Sequence, residues 1–239
     1  MTVRCVVFDV DDTLYLERDY VQSGFAAVGA EARSRWGITD FADHAWRLFE
    51  EGARGNIFDL VLVDCGVTAT PEVIAALVAR YREHQPAIRL LEDARACLDR
   101  LRGRVALAGL SDGPAVSQRA KVAALGLDRW LSLLIVTAEL GPGLGKPSPE
   151  GFRRIEAATG ESGAACAHVA DNPAKDFAGP RQLGWRTVRI RRPGGLHAGI
   201  ASGEDVDLEI VSLDELSERL GVDAPAPRAN SIDTMGERL

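Results

Sequence analysis

Five short apolar runs, most of them rich in β-branched residues, recur along the chain and constrain its fold more than any other feature. They read VRCVVFDV, GRVALAGL, LSLLIV, CAHVA and WRTVRI. Helical patterns separate the later runs, over residues 114–126 and 148–160, and each pattern ends on a glycine. Strands that alternate with helices predict an α/β fold, in which helices cover both faces of a doubly wound parallel sheet. In the first helical pattern, the residues at helical spacing are Val116, Ala120, Ala123 and Ala124.

The interval between the first two strand-like runs breaks this alternation. Residues 16–102 contain several helix-like segments and no convincing strand. We therefore expect a smaller, all-helical cap domain over residues 16–102, inserted into an α/β core made of residues 1–15 and 103–221. Residues 222–239 are polar, contain proline and lack periodicity, which predicts a flexible tail.

Composition and charge exclude several classes of protein. The 239 residues are 26% charged and 46% hydrophobic, with a formal net charge of -7, so an extended nucleic-acid surface is not expected. The four cysteines are scattered without a C-x-x-C pair, which indicates free thiols and neither a zinc site nor a disulfide framework. No apolar run approaches a membrane span or a signal segment, and we expect a cytoplasmic protein with no membrane partner.

Polar residues gather where the predicted strands end. Because ligands of parallel α/β sheets bind at the carboxyl ends of the strands, these residues are the candidates for a functional site. They are Asp9, Asp11 and Thr13 after the first strand, Ser111 and Asp112 after the second, Lys146 after the third, and Asp171 and Asp176 after the fourth.

The carboxylates in this set need a counter-charge. Residues two apart in an extended segment face the same side, so Asp9 and Asp11 are expected to point into one cavity with Asp171. Two carboxylates about 4 Å apart repel by about 4 kcal/mol at an effective dielectric near 20. A cluster of three or four carboxylates must therefore take up protons or bind a cation. Mg²⁺ prefers oxygen ligands and often binds substrate phosphate as well. Lys146 and the hydroxyl residues then suit a phosphoryl group.

Taken together, four segments resemble the motifs of the haloacid dehalogenase (HAD) superfamily, in family order. They are DVDDT at residues 9–13, Ser111 after an apolar strand, Lys146 within GKPSPE, and DNPAKD at residues 171–176. The resemblance extends from about residue 3 to about residue 220, with the helical insert where that family carries a helical cap. Two positions depart from the common pattern: Asp12 stands where many relatives have glycine, and Ala170 stands where glycine is frequent.

The resemblance implies a role for each motif residue. Asp9 would attack phosphorus to form an aspartyl-phosphate, and Asp11 would act as acid and then as base. Lys146 would bind phosphoryl oxygens and neutralise charge at the nucleophile, while Thr13 would orient the Asp9 loop. The implied sets are Asp9, Asp11 and Lys146 for catalysis; Thr13, Ser111, Asp112 and Lys146 for phosphate; and Asp9, Asp11 (through its backbone carbonyl), Asp171 and Asp176 for Mg²⁺.

Asp11 also favours one branch of this superfamily. True dehalogenases lack a carboxylate at this position, because displacement of halide needs no proton. The resemblance therefore implies a Mg²⁺-dependent phosphatase for a small phosphorylated metabolite of the sugar phosphate or nucleotide type, acting as a monomer or homodimer. Arg54 and Asn56, in the cap segment GARGN, are candidates for substrate contact.

Three alternatives remain open from the sequence. A phosphomutase shares the same motifs. GLSDG at residues 109–113 fits the nucleophile elbow of a serine esterase, with Ser111 as nucleophile and Asp171 and His197 following in triad order. A receiver-like signalling domain also gathers acidic residues and a lysine at a sheet edge, although a helical insert after its first strand is hard to accommodate.

Overall fold

A six-stranded, all-parallel sheet forms the centre of the protein, in the order β3-β2-β1-β4-β5-β6. The computed structural model describes residues 2–222. The strands are β1 Cys5–Phe8, β2 Ala106–Ser111, β3 Leu133–Val136, β4 Cys166–Ala170, β5 Arg186–Ile190 and β6 Leu208–Ile210. The helices are α1 Glu17–Trp36, α2 Phe41–Glu50, α3 Ile57–Asp64, α4 Pro71–Glu83, α5 Glu92–Leu101, α6 Ala115–Leu125, α7 Glu150–Thr159, α8 Ala178–Gln182 and α9 Leu216–Leu220. The predicted doubly wound fold is confirmed.

Strand β1 lies in the middle of the sheet and is buried on both faces. Its successive side chains point to opposite faces, so Val6 and Phe8 join one hydrophobic cluster while Cys5 and Val7 join another. All four residues are fully buried. A strand covered on both faces reads as a continuous apolar run, which is why the sequence identifies it so clearly.

Helices α1 to α4 build a separate hydrophobic cluster of their own. Phe25, Phe41, Phe58 and Leu77 are buried in it, and α1 packs against both α2 and α4. We refer to these four helices as the cap. Among residues 2–222, none of the helices is both long and apolar enough to cross a membrane.

Helix α5 differs from the expectation that it belongs to the cap. Its buried residues Ala94, Cys97, Leu98 and Leu101 lie in the same cluster as Val6 of the central strand. A helical pattern looks the same whether the helix packs on a sheet or on other helices, so its periodicity could not distinguish the two. We therefore place the end of the cap before residue 91 rather than at residue 102.

Two further features lie towards the end of the described chain. Strand β6 was not predicted, because it has only three residues and pairs only at the edge of the sheet. The tail predicted over residues 222–239 lies outside the described residues except for Val222, which is buried in the core cluster. All four cysteines are free, as predicted.

Candidate active site

Two neighbouring strands end at one edge of the sheet and bring the predicted acidic residues together. Asp9 follows β1, and Asp171 follows β4, its neighbour in the sheet. Together with Asp11 they line a cavity of about 260 Å³, here called the acidic cavity. Tyr20 and Tyr81 reach the same cavity from the cap. The site therefore lies between the core and the cap.

Lys146 contacts two of the predicted acidic residues without lining the acidic cavity itself. Its Nζ lies 2.7 Å from Oδ1 of Asp9 and 2.7 Å from Oδ1 of Asp176, and the lysine side chain is fully buried. Burial raises the pKa of Asp9 to about 7 against the opposing effect of Lys146, and the nearby Asp176 raises it further. Burial alone would lower the pKa of Lys146, but Asp176 and Asp9 hold it above its usual value. Lys146 is therefore a permanent cation at the predicted nucleophile.

The carboxylates of Asp9, Asp171 and Asp176 could hold a metal ion. One oxygen of each lies within 4.8 Å of the others, and all three residues are buried. An all-oxygen set of carboxylates fits Mg²⁺, which binds hard oxygen ligands. A second group within residues 2–222 combines Asp12, Asp171 and His197 and offers a nitrogen as well. The first group is the one that the motifs predict.

The side chain of Asp11 points away from the metal group and towards helix α6. Lys121 places its Nζ 2.7 Å and 2.9 Å from the two oxygens of Asp11, while Gln118 donates a hydrogen bond of 3.1 Å and Tyr15 donates another. Burial alone would raise the pKa of Asp11, but Lys121 and these hydrogen bonds hold it below its usual value. The predicted acid/base residue is ionised in this arrangement, and its carboxylate belongs to neither metal group.

Sequence reasoning missed Lys121 and Gln118. The pattern over residues 114–126 placed the apolar face of the helix at Val116 and three alanines, yet Val116 is 48% exposed. The residues of α6 that are buried are instead Ser117, Gln118, Lys121 and Leu125. Gln118 and Lys121 are three apart and share one face of the helix, so the available signal was a polar pair at helical spacing directly after the Ser111 strand.

Ser111 and Asp112, which follow β2, were predicted to bind phosphate. Asp112 lines the acidic cavity, and the side chains of both residues already form hydrogen bonds within the protein. Ser111 donates a 2.9 Å hydrogen bond to Oε1 of Gln118. Oδ1 of Asp112 accepts a hydrogen bond from the hydroxyl of Thr137 at 2.6 Å and another from the backbone amide of Lys146 at 3.2 Å. Asp112 therefore anchors the loop that carries Lys146, and its acceptor-only carboxylate is not suited to bind phosphate directly.

Thr13 and Asp12 shape the loop after β1. The carbonyl of Thr13 accepts two hydrogen bonds from Arg192, while its buried hydroxyl has no hydrogen-bond partner. Asp12 has a φ of 48°, a left-handed conformation that glycine adopts readily and that aspartate tolerates better than most residues. Its carboxylate accepts hydrogen bonds from the amides of Glu17 and Leu196, which ties the loop to the start of the cap.

The serine esterase triad is not assembled. Ser111 bonds to Gln118, whereas Nδ1 of His197 lies 3.0 Å from Asp171 and its Nε2 lies 3.1 Å from the Asn172 side chain. The hydrogen bond to Asp171 raises the pKa of His197. The histidine thus faces the acidic cluster and has no contact with the serine that it would need to activate.

The two cap residues predicted to contact substrate do not line the acidic cavity. Arg54 donates hydrogen bonds to the carbonyls of Phe49 and Ala53, and it lies 4.0 Å from the centre of the Phe49 ring. It lines a second cavity within the cap. Asn56 is exposed and directly precedes α3. The cap residues that line the acidic cavity are Glu17, Tyr20, Tyr81 and Arg82.

This chain resembles known hydrolases over much of its length. The family model of haloacid dehalogenase-like hydrolases matches residues 3–184. A glyceraldehyde 3-phosphate phosphatase from Methanopyrus kandleri is 28% identical over 230 residues, which covers 92% of this chain and 97% of that protein. A phosphoserine phosphatase from Thermus thermophilus is 34% identical over 140 residues, covering 58% of this chain and 55% of that protein.

Solved structures share the whole fold. The HAD-hydrolase YfnB from Bacillus subtilis, bound to magnesium, superimposes with a TM-score of 0.68 at 20% identity, covering 92% of this chain and 99% of its own. A HAD-superfamily hydrolase from Geobacter sulfurreducens gives a TM-score of 0.66 at 18% identity, covering 92% and 97%. Because the family match spans more than half of the chain and the fold agrees, this protein is an enzyme of the haloacid dehalogenase-like hydrolase family.

Proposed function

We propose that this enzyme is a Mg²⁺-dependent phosphatase that hydrolyses a small phosphate monoester through an aspartyl-phosphate. The observation that carries this proposal is the buried contact of Lys146 with both Asp9 and Asp176, beside the carboxylate of Asp171. A nucleophilic carboxylate next to a permanent cation and a second acidic group is suited to attack a phosphate dianion. The phosphatase names of two relatives support the same reaction class.

Asp9 is assigned as the nucleophile. Lys146 holds its Oδ1, so we assign Oδ2 to the attack on phosphorus, with formation of the new P–O bond and cleavage of the bond to the leaving alcohol. Lys146 is assigned to bind the transferring phosphoryl oxygens, and Ser111 would join it once its hydroxyl is released from Gln118. Asp9, Asp171 and Asp176 would hold Mg²⁺, which when bound offsets the negative charge that keeps a phosphate anion away from Asp9.

Proton transfer is assigned to Asp11 together with Lys121. In the second half-reaction, ionised Asp11 takes a proton from the water that attacks the aspartyl-phosphate. In the first half-reaction Lys121 gives a proton to the leaving alkoxide, and because it contacts both oxygens of Asp11, it regains a proton from Asp11 after the second half-reaction. We further propose that the enzyme acts in the cytoplasm as a monomer or homodimer. Analytical sedimentation would test the oligomeric state.

Phosphate release from a panel of monoesters, with Mg²⁺ and with excess EDTA, tests the proposal. We expect release only with Mg²⁺. Asp9→Asn, which changes little volume, should lower kcat by about 10³-fold or more while the circular dichroism spectrum stays the same. Undiminished turnover by Asp9→Asn would refute the assignment. A phosphomutase would instead move phosphate within or between sugars without releasing it, and an esterase would cleave an acyl ester regardless of EDTA.

A further inference from the structure

A second cavity, of about 280 Å³, lies in the cap directly beside the acidic cavity. Glu17 and Tyr81 line both cavities, and Leu196 of this cap cavity is followed in the chain by His197 of the acidic cavity. The two spaces are therefore adjacent. A substrate whose phosphate reaches Asp9 could extend past Glu17 and Tyr81 into the cap cavity.

The walls of the cap cavity are predominantly aromatic and aliphatic. Phe25 packs against Phe49 and Phe58, with ring centres 6.2 Å and 6.0 Å apart, and Tyr81 lies 5.9 Å from Phe58. These mutual edge-to-face contacts hold the rings in place, so the wall is preformed. Aliphatic side chains complete the wall: Val21, Ile57, Ile74, Val78 and Leu196.

Three charged residues also line this cavity: Glu17, Arg54 and Asp59. Glu17 stands at the boundary with the acidic cavity, so a carboxylate on the substrate would meet a second acidic side chain there, whose pKa burial raises to about 7. Arg54 already donates to two backbone carbonyls and covers Phe49. A leaving group rich in hydroxyls would lose its hydration here without finding matching partners among the ring and alkyl walls.

On the basis of the phosphatase activity proposed above, we propose that the cap cavity binds the leaving group of the substrate, and that this group is an uncharged apolar alcohol with one ring or a branched alkyl chain. The volume is near the lower end of small-molecule sites, which suits one such group. The preferred substrate then differs from glyceraldehyde 3-phosphate and phosphoserine, the compounds in the names of the relatives.

The first test compares kcat/KM for benzyl phosphate and glycerol 1-phosphate with Mg²⁺. Both are esters of primary alcohols, and we expect benzyl phosphate to be preferred by about 10- to 100-fold. Across ethyl, propyl, butyl and 3-methylbutyl phosphate, kcat/KM should rise by about three- to fourfold per added carbon. A flat series or a preference for glycerol 1-phosphate would overturn the inference, and this test needs no variant.

A pair of variants then tests whether the cap cavity causes the preference for benzyl phosphate. Ile74→Trp fills the cap cavity from helix α4, and it should reduce the ratio of the benzyl to the glycerol kcat/KM at least tenfold. Val63→Trp places the same side chain on α3 at a position that is 64% exposed and lines neither cavity, so the ratio should not change. An unchanged ratio in Ile74→Trp would contradict the assignment of this cavity.

The two proposals fail in different ways. If no monoester of the panel releases phosphate with Mg²⁺, the proposed phosphatase function fails and the inference fails with it. If phosphate is released in a Mg²⁺- and Asp9-dependent way but without preference for apolar alcohols, only the inference about the cap cavity is overturned.

Discussion

Replacing Lys121 by methionine removes the counter-charge of Asp11 while keeping the length of the side chain. The Lys121 side chain is 4% exposed, and its Nζ bonds both oxygens of Asp11. It also lies 4.2 Å from the centre of the Tyr20 ring. In the Lys121→Met variant, Asp11 remains a largely buried carboxylate that retains only the hydrogen bonds from Tyr15 and Gln118.

We expect the loss of stability in Lys121→Met to lie at the lower end of the range known for buried ion pairs that lose one partner. Removing one partner of such a pair costs about 3–5 kcal/mol. Because the Asp11 side chain is still 18% exposed and keeps two donors, we expect Lys121→Met to lower the free energy of unfolding by about 3 kcal/mol. Adding Asp11→Asn removes the orphaned charge, so the double variant should regain about 1–2 kcal/mol relative to the sum of the single changes.

Urea unfolding of the wild type, both single variants and the double variant, in EDTA and followed by tryptophan fluorescence, measures this coupling. Arg119→Met is the matched control, because Arg119 lies on the same helix and pairs with Glu139 at a site where both side chains are more than 40% exposed. Its expected effect is within about 0.5 kcal/mol. Equal effects of Lys121→Met and Arg119→Met, or strict additivity in the cycle, would refute the reasoning.

Two other changes test the core. His168 is fully buried, its Nδ1 lies 3.2 Å from the carbonyl of Val7, and burial lowers its pKa from 6.5 to about 3. Below pH 6.5 the unfolded chain therefore binds a proton at His168, whereas the folded chain binds it only below about pH 3. The free energy of unfolding therefore decreases as the pH is lowered from 6.5 to 3. Between pH 7 and pH 5 the free energy of unfolding of the wild type should decrease by about 2 kcal/mol more than that of His168→Asn, measured by urea unfolding at both pH values. An equal decrease in both proteins would contradict the assignment of this pH dependence to His168. Arg192 donates twice to the Thr13 carbonyl and once to Asp93, which a single ammonium group cannot replace in the same geometry. Arg192→Lys should lower the free energy of unfolding by about 2 kcal/mol, and an unchanged urea midpoint would contradict it.

The sequence identified the acidic site because its parts follow strands that are buried on both faces. An apolar run followed by Asp9 or Asp171 marks the carboxyl end of a strand, and parallel strands bring all such ends to one edge. The contact of Lys146 with Asp9 follows from this arrangement, although the two residues are 137 positions apart. Strand β6 escaped detection because three residues carry too little pattern.

Helix α6 shows where pattern reasoning fails. A search for apolar spacing selected the side of Val116, which is solvent-exposed, and did not select Lys121 or Gln118. The buried side of this helix is polar because Asp11, from a distant part of the chain, supplies a partner for both. Burial of a charge depends on its partner, and no local periodicity contains that information.

The sequence alone therefore determined the parallel α/β core, the helical insert and the residues that gather at the strand ends, since each depends on short-range pattern and chain order. Only the tertiary structure decided that α5 belongs to the core, that Lys121 neutralises Asp11, and that an apolar cavity lies beside the acidic one. These properties arise from packing between separate elements, where distance, burial and charge are set jointly by residues far apart in the chain.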